Sequence, residues 1–181
     1  MRVDSQNFIS GSYYHLFNHA AADGNLYKDD DDFARFISTL NLHLRKPDFS
    51  LIAYCLLPSH FHLLVRQDGD LQVFKSFYSV SASYARYFNK KYNTWGSIYR
   101  GKLQHQIIQD AKQLMQTCVY IHRNPLEAGI VDKLDDWLWS DYPEWVGSRN
   151  GAMFDPEVRA MFFSSAQGYL DFMLEYKPRR S

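Results

Sequence analysis

The sequence predicts an α+β fold, a four-stranded antiparallel sheet with helices on one face and a further helix at its end. Three observations carry this. Phe49 to Leu57 is almost continuously apolar and Phe61 to Val65 alternates, with Pro58-Ser59 at the turn between them, which is the pattern of a β-hairpin. On either side of the hairpin, apolar residues recur at three- and four-residue intervals, the period of an amphipathic helix. Two shorter apolar runs, one before the first helical stretch and one after the second, have strand length.

Taken in order, Ser12 to Asn18 reads as the first strand, rich in Tyr, Leu and Phe and closed by Ala22-Asp23-Gly24-Asn25. The aspartate run Asp29 to Asp32 then precedes Phe33, Phe36, Ile37, Leu40 and Leu44, whose spacing makes a helix. Aspartates fit its N-cap and first turn, where the backbone dipole favours negative charge. A calcium loop would need alternating ligands around a central glycine, and the run has neither. After the hairpin, Leu71, Phe74, Tyr78, Ala82, Ala85 and Phe88 mark a long second helix. Leu103 to Ile108 reads as the fourth strand, and Ala111 to about Arg123 as a third helix ended by Pro125. The order β-α-β-β-α-β with an added helix is that of a ferredoxin-like sheet. From Gly147 onward, Met161, Phe162, Tyr169, Phe172 and Met173 suggest two short helices, so the chain divides into a main unit, 1–146, and a helical tail, 147–181.

Composition narrows the class. Hydrophobic residues make up 46% and charged residues 22% of the 181, which excludes a disordered or fibrous chain. No run approaches the roughly 20 apolar residues that cross a bilayer. Met1 to Gln6 lacks a signal-peptide pattern, so a soluble cytoplasmic protein is expected, with no membrane partner. Cys55 and Cys118 lie in apolar segments and read as reduced, buried thiols. Net charge is zero, yet Tyr84 to Leu126 holds seven basic residues against Asp110 alone. Tyr84, Tyr87, Phe88, Tyr92, Trp95 and Tyr99 are interleaved with those cations. Two readings stand: a surface that tracks phosphates and stacks unpaired bases, or a solvated helix whose aromatics face the core.

Two constellations could carry chemistry. In His60-Phe61-His62 the alternation of a strand sends both imidazoles to one face, their Cα atoms about 7 Å apart, within reach of one divalent cation. Two partly exposed strand histidines would look the same. Cys55 adds too little for a structural zinc centre. In Tyr120-Ile121-His122-Arg123-Asn124-Pro125, Tyr120 and Asn124 are one helical turn apart and project to one side, at the edge of the stripe of Leu114, Cys118 and Ile121. The plain alternative is a boundary tyrosine with a helix-terminating Asn-Pro pair. His122 points elsewhere on the helix, as a surface or packing residue and not a ligand.

Together these segments resemble a known family. Ala53-Tyr54-Cys55-Leu56-Leu57-Pro58-Ser59-His60-Phe61-His62-Leu63-Leu64-Val65 is similar to the signature hairpin of the HUH single-tyrosine transposases, and the segment from Tyr120 to Val131 is similar to their tyrosine segment. Trp95 to Lys102 and Trp139-Ser140-Asp141-Tyr142 match further family patterns. The resemblance runs from about Tyr14 to Tyr142, in the right order, and is strongest to the REP-associated tyrosine transposases (IS200-like). It implies a DNA nicking and joining enzyme that acts on single-stranded DNA beside hairpins through a 5′-phosphotyrosine intermediate. By the same resemblance Tyr120 is the nucleophile, and His60, His62 and Asn124 are ligands of Mg²⁺ or Mn²⁺. Arg100, Lys102, Lys90, Lys91 and Arg123 are then candidate phosphate contacts. Ser59 stands where the family commonly has Asn, which leaves the ligands intact. Relatives act as monomers or dimers, so a homodimer is open. A relaxase or replication initiator is disfavoured by the short chain. The alternative of another class is a domesticated, non-catalytic module that binds hairpin DNA or RNA.

Overall fold

A computed structural model describes residues 9–22, 24–44, 48–70, 72–151 and 156–176. The N-terminal hexapeptide, Asp23 of the first turn and Leu71 at the head of the second helical stripe lie outside them. The sheet is built from β1 (Tyr13–His19), β2 (Phe49–Leu57), β3 (His60–Gln67) and β4 (Gln104–Ile107), all antiparallel, in the order β2-β3-β1-β4. This is the ferredoxin-like arrangement expected from the element order, with β1 inserted between the hairpin and β4.

On one face lie α1 (Asp30–His43) and α2 (Val73–Tyr92), packed against each other over Leu16, Phe36, Phe61, Phe77 and Tyr84. Each such side chain contributes roughly 1.5–3 kcal/mol by leaving water. Asp29 caps α1 as expected, its carboxylate accepting from the Asp32 N–H at 3.1 Å. The buried stripe of α2 differs from the one read in the sequence: Val73, Phe77, Val80, Tyr84 and Phe88 face the core. Phe74, Tyr78, Ala82 and Ala85 instead line an open cavity of about 400 Å³ against residues 97–103. A helix apolar on two adjacent faces does not declare which one meets the sheet.

The other face of the sheet is covered too, which is why β2 reads as an almost continuous apolar run. Here α3 (Ala111–Glu127) crosses β2, joined by α4 (Tyr142–Trp145) and α6 (Ala166–Glu175), over Cys55, Leu64, Cys118, Ile121, Trp145 and Tyr169. A 3₁₀ turn, Leu134–Asp136, and α5, Pro156–Ala160, complete the described residues. Both cysteines are free and buried. The outer edge of β2 is closed by residues 137–141: Leu56 N–H donates to Trp139 O at 2.9 Å, and Tyr54 N–H to the Asp141 carboxylate at 2.6 Å.

The third helix does not stop at Pro125. It runs to Glu127 and ends where Gly129 takes φ +66, with Ile130 N–H donating to Pro125 O at 2.9 Å and Gly129 N–H to Leu126 O at 3.1 Å. These two bonds are the glycine-closed helix terminus of a Schellman motif, so Gly129 and not the proline is the stop signal.

Candidate active site

Alternation along β1 and β3 puts His15, Phe17, His19, His60 and His62 on the sheet face that α3 crosses. The register sets His19 opposite His60 and Phe17 opposite His62. His19 stacks on His60 with ring centroids 4.9 Å apart, and His60 meets His62 edge-on at 5.2 Å. His15 reaches diagonally, its Nε2 2.9 Å from His62 Nδ1. This face of β3 is largely covered: Leu64 is buried under α3, His62 is buried, and Arg66 pairs with Asp68.

The helix brings the tyrosine segment to this face. Tyr120 lies edge-on to His62 at 5.3 Å between centroids and to His15 at 6.1 Å, and it stays 41% exposed. Asn124, one turn on, is buried, and its amide N–H donates to the Tyr120 carbonyl at 3.2 Å. Asn124 also bonds the His60 side chain in the sense that favours its protonated form, which is the effect of the amide oxygen facing the ring. Tyr120, His60 and His62 with His15 and His19 border one cleft of about 500 Å³, into which Tyr176 also reaches.

Burial favours the neutral form of His15, His60 and His62. Burial lowers His15 to about 4. Burial, with the neighbouring histidines His15, His60 and His19, lowers His62 to about 2. Burial and then His19 also lower His60, with Asn124 pulling the other way. Neutral imidazole is the ligand form. A proton on His62 Nδ1, shared with His15, leaves Nε2 a lone pair, and Ser59 Oγ, 3.0 Å from His60 Nδ1, can do the same for His60. Among the described residues no group of three or more His, Cys, Asp or Glu could hold a metal ion. The donor set on offer is two imidazoles and one amide oxygen, which fits a borderline divalent cation completed by water or phosphate oxygens.

The basic candidates divide. The Arg100 N–H donates to the His19 carbonyl at 2.9 Å, which holds this exposed residue beside the histidine end of β1. Lys90 is exposed at the end of α2, and Lys102 borders the cavity beside that helix. Lys91 pairs with Asp29 at 2.6 Å and Asp32 at 2.9 Å, and Arg123 with Glu127 at 3.2 Å. Of the six interleaved aromatics, Tyr84, Phe88 and Tyr99 are buried and Tyr87 and Tyr92 half-buried, so the core-facing reading holds for these; Trp95 is 89% exposed. His15 and His19 were not singled out in the sequence. Their signal was the alternation His15-x-Phe17-x-His19 on a strand, without a partner strand to give it meaning.

No family model matches the chain. A Haemophilus influenzae protein provisionally named REP-associated tyrosine transposase is 30% identical over 105 residues, a match that covers 52% of this chain and 59% of that protein. The chain thus spans less than two thirds of that relative. Among solved structures, a REP-associated tyrosine transposase bound to a REP hairpin superposes with a TM-score of 0.69 at 17% identity, over 86% of this chain and 94% of that one. In sequence and in fold the chain is similar to these transposases, as its two motifs led us to expect.

Proposed function

We propose, from this likeness to REP-associated tyrosine transposases, that the chain nicks and rejoins single-stranded DNA at hairpin-flanked sites, with Tyr120 as nucleophile. The observation that carries the reading is the 5.3 Å approach of the Tyr120 ring to His62, in a cleft that also holds His60, with Asn124 bonded to the His60 side chain.

The Tyr120 Oη attacks phosphorus, the Oη–P bond forms, the P–O3′ bond breaks, and the departing O3′ takes up a proton. The products are a 5′-phosphotyrosine and a free 3′-hydroxyl. The bond energy stays on the protein, so a 3′-hydroxyl can reverse the step or join another strand without ATP. His60, His62 and the Asn124 oxygen would hold Mg²⁺ or Mn²⁺, which polarises the scissile phosphate when bound. His15 and Ser59 keep the two ligand rings in the right tautomer. The exposed side of Tyr120 is open to water, which can accept the Oη proton as the new bond forms. Arg100, exposed and bonded through its backbone to His19, would meet the phosphates next to the break. Hairpin DNA is the partner that this reading assigns, since the solved relative is bound to one.

The test mixes the protein with a pooled library of labelled single-stranded hairpins and Mn²⁺ or Mg²⁺. A denaturation-resistant protein–DNA adduct that needs metal and vanishes in Tyr120→Phe and His62→Ala is expected. Tight hairpin binding with no adduct under either cation would replace the enzyme by a non-catalytic binding module.

A further inference from the structure

His122 lies on α3 midway between Tyr120 and Asn124 and points away from both, into the second core, where it is fully buried. Its Nε2 is 2.9 Å from Asp141 Oδ1 and its Nδ1 2.6 Å from the Tyr169 hydroxyl. The same carboxylate accepts from Tyr54 N–H on β2 at 2.6 Å and from Trp145 Nε1 on α4 at 3.1 Å. A carboxylate donates nothing, so the shared proton sits on His122 Nε2, and in the neutral ring Nδ1 then accepts from Tyr169 O–H. Every ring nitrogen and both carboxylate oxygens are satisfied.

A buried polar network gives no more stability than apolar groups of the same shape, and often less. Its distinctive property is direction. Behind the site, α3 packs on the sheet through the apolar Leu114, Cys118 and Ile121, and such packing tolerates small rotations. The His122 bonds do not: they tie one point of α3 to β2, to α4 and to α6 at once. That point stands behind the two residues that face the histidines.

We propose that His122, with Asp141 and Tyr169, is a positioning device that fixes the rotation of α3 so that Tyr120 and Asn124 meet the His60–His62 face, and that α6 thereby sets the geometry of the site. None of the three touches DNA or cation. The inference rests on the nicking reading above, in which a misplacement of about 1 Å can cost about 100-fold in rate.

The informative variant is Tyr169→Phe, which keeps the ring in the core and removes only the hydroxyl that His122 Nδ1 accepts from. Two readouts are needed, and one does not depend on turnover. In crystal structures, the Tyr120–His62 ring separation, 5.3 Å here, is expected to change by about 1 Å between the wild type and the variant. At saturating hairpin with Mn²⁺, the single-turnover rate of adduct formation is expected to fall about 10- to 100-fold while hairpin Kd stays within about twofold. Asp141→Asn, measured the same way, should act in the same direction, because its amide gives His122 Nε2–H a poorer acceptor. A structural role alone would lower the urea midpoint and leave both the ring separation and the rate of the folded molecule unchanged. That result overturns the proposal. If the wild type forms no adduct, the nicking reading fails, and the ring separation still decides whether the network positions α3.

Discussion

His15 Nε2 and His62 Nδ1 stand 2.9 Å apart on neighbouring strands, so the second histidine of the hairpin is held by a residue 47 positions earlier. Partners of this kind set which ring nitrogen faces a metal, and their removal commonly lowers affinity about 10- to 100-fold. His15→Phe keeps an aromatic ring on β1 and abolishes the bond. Mn²⁺ affinity, read from the free-ion EPR signal, is expected to fall within that range; an unchanged affinity would show that His15 only packs.

The same histidines should make the protein acid-sensitive. Their folded-state pKa values are depressed, about 4 for His15 and about 2 for His62, against about 6.5 in an unfolded chain. Between those limits the unfolded state binds more protons, so stability rises with pH and is lost as pH falls below about 6.5. Each group contributes about 1.4 kcal/mol per pH unit while its folded form stays neutral. Urea unfolding from pH 7 to pH 4.5 should therefore show a steep loss, shallower by about one proton in His15→Phe. A flat profile above pH 5 would contradict the burial of these rings.

Trp95 presents an apolar surface that the fold does not use. Its loop is braced by hydrogen bonds: Thr94 N–H and Oγ both bond Asn89, and Asn89 Nδ2 donates to Gly96 O at 2.9 Å. A solvent-facing indole suits a stacked base, worth about 1–3 kcal/mol by alanine substitution. Trp95→Ala should weaken single-stranded DNA binding about 5- to 150-fold and leave the urea midpoint unmoved. Unchanged affinity would remove Trp95 from the interface.

What the sequence disclosed, and what it hid, follows from locality. The hairpin, the Asp29 cap and the two histidines on one strand face are local patterns, and they appear where they were expected. Pairing β1 beside β3 is not local, and that pairing turns His15 and His19 into neighbours of the histidine pair. The end of α3 lies at Gly129 and not at Pro125, because a proline withholds a single N–H, the one that would meet the Ile121 carbonyl, and the last turn continues past it to the glycine. The buried face of α2 could not be chosen from period alone, since Tyr78 and Phe77 sit on adjacent apolar faces and only the sheet selects between them. His122 was half-legible: its direction away from Tyr120 follows from helical geometry, but its partners Asp141 and Tyr169 come from segments that no spacing rule connects to it.

Arg100 and Lys91 belong to the same basic stretch and should answer differently to substitution. Lys91 is bonded to Asp29 and Asp32 and ties the end of α2 to the start of α1. Within the same cluster Tyr92 O–H and the Lys28 N–H also donate to Asp32. Lys91→Ala is expected to lower the urea midpoint and to leave DNA affinity nearly unchanged. Arg100 is exposed beside His19, and its side chain contributes little to the fold. Arg100→Ala should leave stability alone and weaken single-stranded DNA binding, with the slope of log affinity against log salt reduced by about 0.7, the amount one phosphate contact supplies. Titrations of both variants at several salt concentrations, with a paired urea melt, separate the roles. If Lys91→Ala instead changes the salt slope, the ion pair with Asp29 and Asp32 opens in the complex and the phosphate-binding surface extends to the α1–α2 face of the sheet.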